Sequence, residues 1–143
     1  MKLVDLNILI YATNRDAPNH AIAKAWVDGA LSGEETIALA WSVVLGFVRI
    51  TTHPRVMPKP LSAEDAVAIV DTWLGRPQVV LLAPGERHWS ALRSLLLATG
   101  TAGNLTSDAH LAALAIEHDA ELCSTDSDFA RFSQLRWTNP LRT

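Results

Sequence analysis

Apolar positions recur along this chain in two periods, and the alternation between them sets the expected architecture. Lys2-Leu3-Val4 is a short apolar run ending at Asp5, and residues 7–14 read as a helix start with Asn7 a candidate cap. Residues 18–31 place Ile22, Ala25, Trp26 and Ala30 at helical spacing, with Pro18 near the start. Residues 36–40 form a candidate strand, and residues 41–52 keep Val43, Val44, Phe47 and Ile50 on one helical face. Pro54, Pro58 and Pro60 break the pattern as a loop. Ser62 opens a stretch like a capping box, with Asp65 where Glu or Gln is usual, and a helix through Leu74. Residues 78–82 read as a strand, and 85–100 as a helix closed by Gly100. Thr106 leads into a helix over 107–118, residues 120–124 form the last clear strand, and a short helix starts at Ser127. Short β runs alternating with longer helices predict an α/β domain with a central parallel sheet and helices on both faces. No repeat or linker interrupts the pattern, so residues 1–143 read as one domain.

Composition narrows the class without naming a function. With 49% apolar residues the 143-residue chain can bury a real core. No apolar run reaches the length of a membrane span. Asp5 and Asn7 interrupt the apolar start, which argues against a signal peptide. The single cysteine, Cys123, excludes an internal disulfide framework and fits a reducing, cytoplasmic setting. A net charge of −3 does not suit a nucleic-acid binder working by bulk charge, although a bound cation would invert the local balance.

Three acids stand out against this frame. Asp5 ends the first strand, Asp108 opens the helix before the last clear strand, and Asp126 follows that strand. In an open parallel sheet, ligands gather beyond the carboxyl ends of the strands, where all three would lie. Taken singly, Asp108 suits the helix dipole and Asp126 caps the segment that follows. Asp5 is harder to absorb, because an acid inside Leu-Val-Asp-Leu-Asn-Ile is poorly placed for a core. Converging carboxylates repel unless a divalent cation joins them, and hard oxygen ligands suit Mg²⁺ or Mn²⁺. The histidines lack zinc-ligand spacing, and His110 projects away from Asp108 on its helix. The five tryptophans read as core or interface residues.

The segments LVDLNILIYA, TSDAHLAALAIEHDAELCSTDSDFARF and LRWTNPL resemble the PIN-domain ribonucleases, specifically VapC toxins of type II toxin–antitoxin systems. The likeness runs nearly the whole chain, and AWSVVLGFVRITTHPRV is similar to one VapC subgroup. It implies a PIN-like three-layer α/β/α fold and an endoribonuclease dependent on Mg²⁺ or Mn²⁺. It further implies a homodimer held in check by a small VapB antitoxin, and products with 3′-hydroxyl and 5′-phosphate ends. The family's metal-binding catalytic acids map onto Asp5, Asp108 and Asp126. Asn7, Thr125 and Asp128 map onto the polar surroundings of those acids. Arg49 and Arg55, with Lys59 and Arg87, are candidates for steering RNA, although each also reads as an ordinary surface charge.

One departure matters. Many PIN domains carry a further Glu in an E-x-x-R pattern, and counting back from Arg49 gives Gly46. No Asp or Glu lies between Glu35 and Glu64. Either three acids suffice, or Glu86 or another acid reaches in, or activity is weak. The alternative function is accordingly a weak or inactive PIN domain acting as a binding module. Two other acid-clustering classes fit less well. A receiver domain wants a lysine after a late strand, and the lysines are Lys2, Lys24 and Lys59; a haloacid-dehalogenase-type phosphatase wants D-x-D, and Asn7 stands at the third position.

Overall fold

The computed structural model describes residues 1–100 and 102–142. Five strands, β1 (Lys2–Val4), β2 (Ile37–Ala40), β3 (Val79–Leu82), β4 (Glu121–Cys123) and β5 (Trp137–Thr138), form one sheet in the order β3-β2-β1-β4-β5. Every pairing is parallel. Six α-helices flank the sheet: α1 (Leu6–Thr13), α2 (His20–Ser32), α3 (Trp41–Thr51), α4 (Ala63–Leu74), α5 (His88–Thr99) and α6 (Thr106–Glu117). The result is the expected three-layer α/β/α arrangement with a parallel sheet.

The core forms where strands too short to alternate are buried on both faces. Ile37, Ala38, Leu39 and Ala40 of β2 are all buried, as a central parallel strand requires. α6 inserts Ala109, Leu111, Ala112, Ala113, Leu114 and Ala115, and its small residues let it lie close to the sheet. Phe47 of α3 meets Trp73 of α4 edge-on, with ring centroids 4.6 Å apart, which joins those helices over the sheet.

Local signals account for some helix ends. Ser62 Oγ accepts from Asp65 N at 3.0 Å, so the expected cap forms without Glu or Gln at the third helical position. Gly100 closes α5 with φ +72°, a left-handed turn that favours glycine. Two expectations need correction. Asn7 does not cap α1; Asp5 does, because the chain leaves β1 extended and turns into helix one residue later. On α2 the buried residues are Ala23 and Val27, and Trp26 and Ala30 of the expected face also pack against the core, while Ile22 is half-exposed and Ala25 exposed. Strand β5 was not anticipated: two residues carry no periodicity, and their pairing with Leu122 and Cys123 is a tertiary fact. Among the described residues no helix is long and apolar enough to cross a membrane.

Candidate active site

The strand order reverses between β1 and β4: β2 and β3 extend from one side of β1, whereas β4 and β5 lie on the other. Such a switch point opens a crevice at the carboxyl ends of the strands. Asp5 follows β1, Ser124 to Asp128 follow β4, and Asp108 sits in the first turn of α6. Chain reversal through α6 brings its N-terminus back to this same edge, where the helix dipole favours anionic groups.

Asp108, Asp126 and Asp128 each offer a carboxylate oxygen within 4.8 Å of the others. Asp5 stands outside that set, deeper, and held from two sides. Its Oδ1 accepts from Leu6 N at 2.7 Å, and its Oδ2 accepts from the Ser124 hydroxyl at 2.6 Å. Ser124 is completely buried. Its Oγ also accepts from Asp126 N at 3.0 Å and from Asn7 Nδ2 at 3.4 Å, which uses all the capacity of a hydroxyl. Asp126 Oδ1 in turn accepts from Asp128 N at 2.9 Å and starts the 3₁₀ turn Ser127–Arg131. Trp137 Nε1 donates to Ser124 O at 3.0 Å, so β5 fastens the loop from behind.

The acids are electrostatically coupled. Burial pushes Asp5 above the usual carboxylate range; the bonds from Ser124 and Leu6 pull it back, and the charge of Asp126 raises it again. Asp108 is pushed up to about 6, first by burial and then by the charges of Asp126, Asp5 and Asp128. A set of half-buried, mutually repelling carboxylates matches the donor chemistry of a hard divalent cation. A second observation agrees: Asn7 Oδ1 is buried without a hydrogen-bond partner, while its amide nitrogen is fixed by Ser124. The residues present therefore fit such an ion.

The other residues singled out in the sequence fall in different places. Thr125 makes no hydrogen bond among the described residues, and the tie to the acids comes from the neighbouring Ser124. The β1–β4 register explains this: Val4 pairs with Cys123, so the next positions, Asp5 and Ser124, meet at the sheet edge. That register is invisible in one dimension, although a hydroxyl directly after the strand was a legible hint. Arg49 and Arg55 are exposed, and among the described residues no ion pair engages either. Lys59 lines a groove beside the end of α1, and Arg87 donates from Nη2 to Glu117 O at 3.2 Å. Glu86 is exposed and joins no side-chain hydrogen bond or ion pair among the described residues. At Gly46, an added Cβ would meet Leu6 Cδ2 at 2.7 Å, so the neighbour of Asp5 fills the space in front of this glycine. Cys123 lies in the strand beside the site, but burial pushes its thiol up to about 12, far from a thiolate nucleophile.

Comparison with known proteins agrees with this geometry. The PIN domain family profile matches residues 2–135. The chain is 46% identical to Ribonuclease VapC37 of Mycobacterium tuberculosis over 140 residues, covering 98% of this chain and 97% of that one. It is also 46% identical to Ribonuclease VapC33 of the same organism over 142 residues, covering 99% of each. The chain belongs to the PIN domain family, in the VapC group. Solved structures share the fold at low identity. FitAB bound to a DNA fragment matches with TM-score 0.73 at 19% identity, covering 100% of this chain and 97% of that one. VapBC2 from Rickettsia felis, also bound to DNA, matches with TM-score 0.67 at 20% identity, covering 96% of each.

Proposed function

We propose that this protein is the toxin of a VapBC-type toxin–antitoxin pair, an endoribonuclease that depends on Mg²⁺ or Mn²⁺. The observation that carries the reading is the convergence of Asp5, Asp108, Asp126 and Asp128 at the β1–β4 switch point. Relatives named ribonucleases, 46% identical over essentially the full chain, support the choice of substrate.

In this reading Asp108, Asp126 and Asp128 hold the ion, with Asp5 and Asn7 Oδ1 completing its surroundings. Asp128 moves from the periphery to the ligand set and supplies charge that Gly46 does not. A bound divalent ion would polarise the scissile phosphate and lower the pKa of a coordinated water. The chain's own part is to gather four carboxylates in one place, two of them raised toward protonation until a cation joins them, and to accept the proton of the attacking water. Ser124 orients Asp5 for this. Arg49 and Arg55 are proposed to meet the RNA backbone.

Antitoxin binding is assigned to a groove between α1, α2 and α4. Two adjoining hollows of about 290 and 450 Å³ share Thr13, Arg15 and Ile69. Their apolar lining includes Val27, Met57, Leu61 and Trp73, and their charged lining is Arg15, Lys24 and Lys59 with the acids Asp16 and Asp28, of which Asp28 pairs with Lys24. An amphipathic antitoxin helix with acidic flanks would suit such a surface. A homodimer is proposed on the exposed side of α3, where Trp41 is 53% and Leu45 64% exposed.

The test is RNA cleavage by the purified protein with Mg²⁺, with Mn²⁺ and with a chelator, with Asp5→Asn as the control. Cleavage that requires the ion and disappears in Asp5→Asn supports the assignment. Equal cleavage by both proteins refutes it, and no cleavage by either under any condition favours the binding-module alternative.

A further inference from the structure

α6 carries Asp108 but has little local means of holding its own N-terminus. Leu105 stands at the cap position and gives no side-chain cap. The connector before it bends through Gly100 and Gly103, at φ +72° and +47°. Beside the burial of Ala109, Ala112 and Ala113 in the core, what holds the start of this helix comes from outside it, from the turn between β3 and α5 and the first residue of α5.

That turn grips α6 at both ends. At the far end the Glu117 carboxylate accepts from Gly85 N at 2.8 Å through Oε1 and from Arg87 N at 3.0 Å through Oε2. These bonds, the first above all, hold Glu117 below the usual carboxylate range. Arg87 returns a bond to Glu117 O, and His118 Nε2 lies 2.9 Å from Ala83 O. At the near end His88 Nε2 lies 2.9 Å from His110 Nδ1, with the rings edge-on. Among the described residues this is the one hydrogen bond from a side chain outside α6 to a side chain in its first two turns. His88 is buried; its Nδ1 makes no hydrogen bond among the described residues and lies 3.9 Å from Glu117 Oε1, so the imidazole is bonded to His110 and packed beside Glu117.

Gly85 is required for this arrangement. A Cβ there would lie 2.6 Å from Glu117 Oε2, in the space the carboxylate occupies. The stretch Gly85-Glu86-Arg87-His88 therefore supplies a glycine that admits the carboxylate, two backbone donors and an imidazole.

We propose that His88, clipped between Glu117 and His110, is a positioning residue that sets Asp108 against Asp126 and Asp128, so that metal affinity depends on a side chain remote from the acids. The inference rests on the reading of those acids as the ion-holding set. His88 contacts none of them; it acts through the placement of α6.

The experiment measures Mn²⁺ affinity by the electron paramagnetic resonance signal of free ion, with thermal melts of the metal-free proteins alongside. His88→Phe keeps an aromatic ring but loses both nitrogens. His88→Gln restores a polar group near the Nε2 position. Gly85→Ala displaces Glu117 without touching the core. Affinity about tenfold weaker in His88→Phe and in Gly85→Ala, and substantially recovered in His88→Gln, is the expected result. If His88→Phe fails to fold, Gly85→Ala decides. Asp108→Asn separates the two levels. If it binds Mn²⁺ as the wild type does, the reading of the acids falls, and this inference with it. If it loses the ion while His88→Phe and Gly85→Ala bind within about twofold of wild type, the positioning role alone is overturned.

Discussion

The Ser124 hydroxyl donates to Asp5 Oδ2 at 2.6 Å across the junction of β1 and β4, joining residues 119 positions apart. The bond keeps a buried carboxylate nearer its ionised form, since burial raises Asp5 and Ser124 opposes the rise. Removing the hydroxyl in Ser124→Ala leaves Asp5, Asp126 N and Asn7 Nδ2 each short of a partner. The expected cost is about 1–3 kcal/mol in urea unfolding of the metal-free protein. Because the opposing bond is gone, the Asp5 carboxyl rises further, and the rising limb of the pH–rate profile moves to higher pH. An unchanged limb would separate Ser124 from the ionisation of Asp5.

Asp108 gives the metal site its pH dependence. A carboxyl pushed up to about 6 in the fold and near 3.8 when unfolded binds its proton more tightly in the folded state. Its contribution therefore destabilises the metal-free protein as pH rises from about 4 to about 6, then levels off. Asp108→Asn removes that penalty: it should melt higher than wild type at pH 7, and the difference should close below pH 4. In the wild type, protons and cation compete for the same oxygen, so apparent Mn²⁺ affinity should fall about tenfold per pH unit below 6. Titrations at pH 5, 6 and 7 with matched melts check both halves.

Much of this fold was legible because its elements carry strong local signals. The 41–52 and 63–74 helices show clear apolar faces, Ser62 and Gly100 mark helix ends, and the brief apolar runs at β1 to β4 alternate with helices. The acids were legible for a similar reason: Asp5 breaks an apolar run, and Asp126 follows the last buried strand after two hydroxyl residues. Contacts made only by tertiary register were not legible. Ser124 meets Asp5 because β1 and β4 pair without offset, and β5 exists because Leu122 and Cys123 have an open edge. The His88–His110–Glu117 clip joins three residues whose spacing matches no metal or catalytic motif. On α2 the spacing of Ile22, Ala25, Trp26 and Ala30 marks only part of the core face, because Ala23 and Val27 are the residues the packing buries.

Asp126 has two separable duties. Its Oδ1 accepts from Asp128 N and starts the 3₁₀ turn, a task that needs an oxygen but no charge. Holding a cation needs the charge. Asp126→Asn should retain the turn and the melting temperature while losing most Mn²⁺ binding and RNA cleavage. Asp126→Ala should lose activity too and should also cost about 0.5–2 kcal/mol of stability, in the range of a lost cap. Equal stability of the two variants would show that the capping bond contributes nothing, and cleavage near the wild-type rate in either would remove Asp126 from the site.

Gly46 and Leu6 make a linked pair with a functional reading. A Cβ at Gly46 would lie 2.7 Å from Leu6 Cδ2, so the residue next to Asp5 occupies the space into which a side chain at this position of α3 would project. Gly46→Glu alone forces its side chain against Leu6 in a buried setting, and should lower stability by about 1–3 kcal/mol with little gain in affinity. Trimming Leu6 opens the path. In a Leu6→Ala background, Gly46→Glu should tighten Mn²⁺ binding severalfold, because one more carboxylate faces the ion. The two substitutions share a contact, so their stability effects should be non-additive by about 0.5–3 kcal/mol, with the double variant better than the sum. A double-mutant cycle on unfolding and on Mn²⁺ affinity tests both claims. Additive effects would mean that Leu6 and Gly46 do not exclude one another, and that the acids at the strand ends define the ion's surroundings without regard to α3.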